Sequence, residues 1–335
     1  MSANQEILKL LLARGEYLDR FGDKETARVL AILERAHDEI LGKIARTKGP
    51  WTREWLSAMK ADIDAIYGEA AAKIGARLDK DLEPLAVKEL EWTASSLEKV
   101  TVGVSITSPS PAGLYASIAS LPAADGSTLA NLLEGLALGS SARVTEAIQL
   151  GMTEGETVKQ MTRRILEELD VTRSQAESIA RTAAMHVGNQ AREALYDANR
   201  DLVKGYQRVE TLDADTCIVC GADDGHVYGM DEARPSLPAH PRCRGIYVPV
   251  LKSWREIGIN RDEIPASTRA SMDGQVAENE TFEDRLKRLT PVKQDTILGP
   301  SRGKLYRGGL PLKDMVDDGR LVPLAELGKR KRSAA

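Results

Sequence analysis

Apolar positions recur every three or four residues through most of the first hundred residues. In WLSAMKADIDAIYGEAAAKIGARL, Trp55, Met59, Ile63, Ile66, Ala70, Ile74 and Leu78 form one stripe, the spacing of an amphipathic helix. The preceding stretch repeats the pattern with Val29, Leu33, Ala36, Ile40 and Ile44. Thr52 offers an N-cap. Gly49-Pro50 separates the two helices, because glycine suits a C-terminal cap and proline cannot continue a helix. Such stripes predict helix core and carry no chemistry. His37, beside the first stripe, reads as structural or solvated.

The pattern then changes. TVGVSITSPSPAGLYASIASLPAADGST, residues 101–128, is rich in Ser, Pro and Gly and carries a single charge, Asp125. It reads as a linker or docking segment, with Val102, Val104, Ile106, Leu114 and Ile118 available to a partner. Helix resumes at Leu129 and runs, with breaks, to about Asn199. A turn is expected at Asp170-Val171, followed by a capping box from Thr172 and Gln175. The next stripe is Ala176, Ile179, Ala183, Val187, Ala191 and Leu195. The resulting hairpin lacks the dense basic face of a DNA-reading helix-turn-helix. His186 has no Cys or acidic partner at ligand spacing and reads as structural or as an interface residue. From Lys204 the period shortens, and GYQRVETL and GIYVPVL read as strands around a turn-rich loop.

These elements predict a mainly α chain of the α+β class. The expected organisation is an N-terminal helical domain (1–100), the linker (101–128) and a helical hairpin region (129–200). A small β-rich zinc-binding module (201–252) and a short helical C-terminal extension (253–335) follow.

Composition fits this picture. Of 335 residues, 42% are hydrophobic and 29% charged, ordinary for a globular chain, while aromatics at 4% suit packed helices better than a β-sandwich. The net charge of −4 sets aside a protein that coats DNA with its whole surface, though not a local basic patch. The opening MSANQEILKL lacks the features of a signal peptide, and no run of 18 apolar residues occurs. A reducing cytoplasm and no membrane partner are expected. There, clustered cysteines more often hold metal than disulfides.

The chemistry concentrates in one segment. All three cysteines and two of the four histidines fall within Cys217 to Cys243. Cys217-x2-Cys220 and His240-x2-Cys243 are two ligand pairs separated by a loop, the arrangement a tetrahedral zinc site needs. Thiolate-rich ligation favours zinc over calcium or magnesium. A loop-rich segment without Phe or Trp buries little apolar area, and structural zinc contributes about 10–16 kcal/mol in finger peptides. The expected ligands are Cys217, Cys220, His240 and Cys243, with His226 the competing fourth donor. Four protein ligands close the sphere and argue for a structural rather than catalytic ion. HExxH is absent, and GPSRGKL is one residue short of a phosphate loop and lacks its Ser/Thr.

RTAAMHVGNQAREALYDANRD, then ADTCIVCGADDGHVY, then PAHPRCRG, taken in order, resemble the phage head morphogenesis family, the Mu F-like minor head proteins of tailed phages. The matching positions are Arg181-Thr182, Asp215, Cys217, Cys220, Asp224-Gly225 and His240 to Arg244. The likeness extends over roughly residues 129–327. Many members carry Cys-Arg-Cys where this chain has Cys243-Arg244-Gly245, which bears on the fourth ligand. The resemblance implies a low-copy virion protein of the head interior or portal region. Its implied partners are the portal, major capsid or scaffold protein, and it implies no enzymatic activity. The alternative is a zinc-containing nucleic-acid-binding protein or HNH-like nuclease. In that reading the basic run 329–332 meets packaged DNA, assisted by Arg242 and Arg244. An HNH enzyme would need a further His-rich hairpin, and only His226 is nearby.

Overall fold

The computed structural model describes residues 3–47, 51–101, 103–123, 126–260, 268–271, 274–277 and 280–327. Gly49-Pro50, Val102, Asp125 and the basic run 329–332 lie outside them. Five helices come first: α1 (Ala3–Ala45), α2 (Arg53–Val100), α3 (Leu114–Ser120), α4 (Leu129–Thr153) and α5 (Val158–Ala198). Then follow β1 (Val203–Val209), α6 (Ile218–Asp223), β2 (Val227–Gly229) and β3 (Ile246–Leu251). The chain continues with β4 (Thr268–Ser271), β5 (Gly274–Ala277), α7 (Phe282–Arg288), α8 (Pro291–Leu298) and α9 (Pro300–Arg307). A 3-10 turn, Leu312–Met315, and the short strands β6 (Val316–Asp317) and β7 (Arg320–Leu321) close the described chain. The protein is therefore mostly helical with a small antiparallel sheet, as the periodicity predicts. Among the described residues no helix is long and apolar enough to cross a membrane.

The chain divides into two compact units. One comprises Leu18–Ala86 and Tyr115–Val187. Its core is built from the predicted stripes: Val29, Leu33, Ile40, Ile44, Ile63, Ile74 and Leu78 are each at most 1% exposed. Thr52 caps α2 as expected, its Oγ1 accepting the Trp55 N–H at 3.1 Å. Pro84 sits inside α2. It removes one backbone bond, while the buried Leu82 and Leu85 on either side hold the helix in place.

The expected turn at Asp170-Val171 does not form; α5 is continuous across it. Thr172 does not cap. Its hydroxyl donates back to Glu168 O at 3.2 Å and to Ser140 Oγ at 3.1 Å, and Gln175 accepts from Arg143 at 2.9 Å. The side chains that would start a new helix are satisfied by α4, and Met161, Ile165, Leu169 and Ala176 continue one buried stripe through the site. His37 is buried, edge-on to Tyr67. His186 is buried as well, its Nε2 at 3.4 Å from Ile118 O.

The second unit comprises Met1–Tyr17, Val87–Leu114 and Gly188–Ala335. Its sheet has the order β2-β1-β3, all antiparallel, with Tyr206 paired to Tyr228 on one side and Pro249 on the other. Gly205 lets β2 approach, since a Cβ there would meet Tyr228 O at 2.5 Å. Asn4 Oδ1 accepts the Leu251 N–H at 2.7 Å, tying the start of α1 to the end of β3. In the same unit, Arg192 and Glu89 form a fully buried ion pair at 3.0 Å, and Arg14 adds a second bond to the same carboxylate at 2.6 Å.

Within residues 101–128, α3 is helical, and Asn199 grips Thr107 through both its carbonyl oxygen and its amide, at 2.7 and 2.8 Å. Leu114 and Ile118, which the sequence offers for docking, are buried at 8% and 2% exposure. The hairpins β4–β5 and β6–β7 carry no alternation long enough to be read from sequence.

Candidate metal centre

The cysteine segment is shaped by its backbone bonds. Cys217 is the N-cap of α6, its Sγ accepting the Cys220 N–H at 3.4 Å and its carbonyl accepting Gly221 N–H at 2.9 Å. One turn of helix thereby aims both thiols to the same side. The approach to that turn is fixed by Asp213, whose carboxylate accepts the N–H groups of Asp215 and Thr216 and both arms of Arg244, the last at 2.6 and 2.7 Å. Across the loop, Cys243 N–H donates to His240 O at 3.1 Å, closing the second pair into a tight turn. Arg242 takes a left-handed conformation there, with φ 62°.

His240 Nδ1 lies 2.8 Å from Pro241 O. A carbonyl only accepts, so Nδ1 carries a proton and Nε2 is the nitrogen that faces the thiols. That Nε2 lies 3.2 Å from Cys217 Sγ and 3.1 Å from Cys220 Sγ, and Cys220 Sγ lies 3.8 Å from Cys243 Sγ. The edges of a zinc tetrahedron are about 3.8 Å between sulfurs and about 3.6 Å between sulfur and nitrogen, from the usual bond lengths. The three separations lie within about 0.5 Å of those edges, while Cys243 is close to Cys220 but not to both Cys217 and His240, so a four-donor sphere needs Cys243 to draw in. Two triads share Cys220: Cys217, Cys220 and His240 on one side, Glu210, Cys220 and Cys243 on the other. Cys243 thus joins the cluster through Cys220. His226 is in neither triad; it is exposed and its ring lies against Tyr228, centroids 4.3 Å apart.

The protonation pattern suits a cation. The Cys220 hydrogen bond, aided by His240, holds Cys217 down to about 4. The same donor, together with the Arg208 charge, holds Cys243 down to about 5 against the opposing effect of burial. Cys220, whose thiol faces both Cys217 and Cys243, is pushed far up, and the Cys217 contact raises His240 to about 9. The cluster concentrates negative charge that shared protons balance, and a metal ion could take the place of those protons.

Residues 142–247 match the family model described as Phage Mu protein F like protein. Over this stretch the chain is similar to that family. No curated protein and no solved structure matches the chain. The Mu F-like stretch encloses both Cys/His pairs and ends inside β3.

Beyond it, the C-terminal helices pack onto the Cys217–Cys220 turn. Asp224 accepts the Glu210 N–H at 2.8 Å and the Phe282 N–H at 2.7 Å. Phe282 lies so close to Gly221 that a Cβ there would overlap the ring. Leu212 and Ile218 join Phe282, Leu286, Leu298, Leu310, Leu312 and Met315 in one buried cluster. Sequence reasoning missed Arg208, Glu210 and Phe282, and named Asp224 only as a matching position of the family pattern. For the first two a signal existed: RVE places two charges two positions apart, on one face of an extended segment.

Proposed function

We propose that this chain is a minor head protein of a tailed phage, a non-enzymatic virion component that acts near the portal in head morphogenesis or genome delivery. The observation that carries this reading is the Mu F-like match over residues 142–247, which covers the Cys/His turn and the helix before it. The ion is zinc, held by Cys217, Cys220, His240 and Cys243. Its role is structural, because four protein donors leave no position open for water or substrate. Bound there, zinc locks two distant turns of a loop-rich segment. The portal, major capsid and scaffold proteins are the partners this reading implies.

Mass spectrometry of purified particles should find the chain at low copy number. Elemental analysis of the protein purified without added metal should give close to one zinc per chain. Absence from particles would refute the head role, and a metal-free, folded 200–250 region would refute the zinc assignment. Metal-dependent DNA cleavage by the purified protein would move the reading to the nuclease alternative.

A further inference from the structure

Arg208, near the end of β1, and Glu210, one residue past it, stand two positions apart beside the cysteines and are 1% and 2% exposed. A buried guanidinium and a buried carboxylate each carry a heavy desolvation cost, so each must find partners. Arg208 donates Nε to Glu210 Oε1 at 2.6 Å. Its Nη2 points at the thiol cluster, 3.4 Å from Cys220 Sγ and 3.9 Å from Cys243 Sγ. Gly245 keeps this arrangement open: a Cβ there would overlap the Glu210 carboxylate and sit 3.1 Å from Arg208 Nε.

We propose that Arg208 is a positioning residue of the metal centre, donating to the Cys220 and Cys243 sulfurs and offsetting their charge, while Glu210 orients Arg208 and is not itself a ligand. The inference rests on the zinc reading above. Three thiolates, a neutral imidazole and a dication leave one negative charge in a buried site beside the Glu210 carboxylate, and Arg208 places one guanidinium against both. The planar fork matters because it engages a carboxylate and two sulfurs at once, which the point charge of lysine cannot do. Glu210 fits the orienting role, its Oε1 already accepting from Arg208 Nε. Outer groups that fix metal ligands in this way are typically worth 10–100-fold in affinity.

The test compares the full-length wild type with Arg208→Gln, Arg208→Lys and Glu210→Gln, by zinc competition against a chromophoric chelator and by cobalt substitution. Arg208→Gln should bind one equivalent at saturation but about 10–100-fold more weakly. Its thiolate-to-cobalt charge-transfer band should move to lower energy, since the N–H donor no longer stabilises the sulfur lone pairs. Arg208→Lys should fall between, and Glu210→Gln, whose amide oxygen can still accept from Arg208, should keep the wild-type band. If Arg208→Gln does not fold, Arg208→Lys decides alone. Wild-type affinity and an unmoved band in the variant that folds would overturn the proposal. So would loss of metal in Glu210→Gln, which would make Glu210 a ligand. Failure of the wild type to hold one equivalent would instead defeat the zinc reading.

Discussion

Phe282→Ala is expected to release the C-terminal helices from the metal turn. Phe282 is 1% exposed and sits among Leu212, Ile218, Leu286 and Leu312, with Gly221 directly against its ring. Removing about 150 Å² of buried ring at about 25 cal/mol per Å² forfeits about 4 kcal/mol. Measured Phe→Ala costs of about 3–5 kcal/mol, which include the cavity left behind, agree. The Phe282 N–H still donates to Asp224 in the variant, so the loss reports packing rather than the backbone bond. Because the chain has two compact units, a local probe is needed, and hydrogen exchange of amides 282–315 reads opening of this segment directly. Their protection should fall by a factor matching several kcal/mol, and trypsin should cut after Arg288 and Lys293. Zinc content should stay at the wild-type ratio, because every proposed ligand lies in 217–243. A change in protection worth less than about 1 kcal/mol, near the level of an ordinary surface substitution, would refute the anchoring role.

Other outcomes follow from the same geometry. His226→Ala should keep full zinc content while His240→Ala lowers it, as read by elemental analysis; the reverse would reassign the fourth ligand. Cys220→Ser should open residues 203–251 to protease and leave the helices of Leu18–Ala86 folded, checked by mapping the fragments. His37 is held down to about 4 from 6.5, chiefly by burial and secondly by Arg173. Its folded state therefore binds fewer protons than its unfolded state, so its contribution is complete above pH 6.5 and is lost as pH falls toward 4. At pH 5 the loss is about 2 kcal/mol, and His37→Leu should remove that part of the pH dependence of urea unfolding. Equal pH slopes in the two proteins would show that His37 is not the group responsible.

Local spacing made the helices and the Cys/His pairs readable. A stripe such as Ile63, Ile66, Ala70, Ile74 encodes its own burial, and Cys-x2-Cys encodes a turn that needs no distant residue to point both thiols one way. The misreading at residues 170–175 has the opposite cause. Asp, Thr and Gln there have good capping chemistry, but Ser140 and Arg143 on α4 claim those side chains, and no pattern in the sequence reports a partner 32 positions away. Leu114 and Ile118 were misassigned for a related reason: a Ser/Pro-rich context predicts loop, while burial depends on what packs above it.

The C-terminal extension shows where a sequence stops being informative. Its caps are plain, with Thr281 and Asp284 forming a capping box and Thr290 preceding Pro291, yet nothing in them names the surface they meet. That surface is α6, six residues long and too short to persist alone. It is held from two sides: Cys217 and Cys220 face the proposed ion, while Ile218 and Gly221 face Leu286 and Phe282. Asp224, one residue past the helix, joins the two sides by accepting from β1 and from α7 with its two oxygens. A metal that fixes α6 therefore also fixes the platform on which residues 280–327 fold. The extension then belongs to the same folding unit as the Mu F-like turn, although it lies outside residues 142–247.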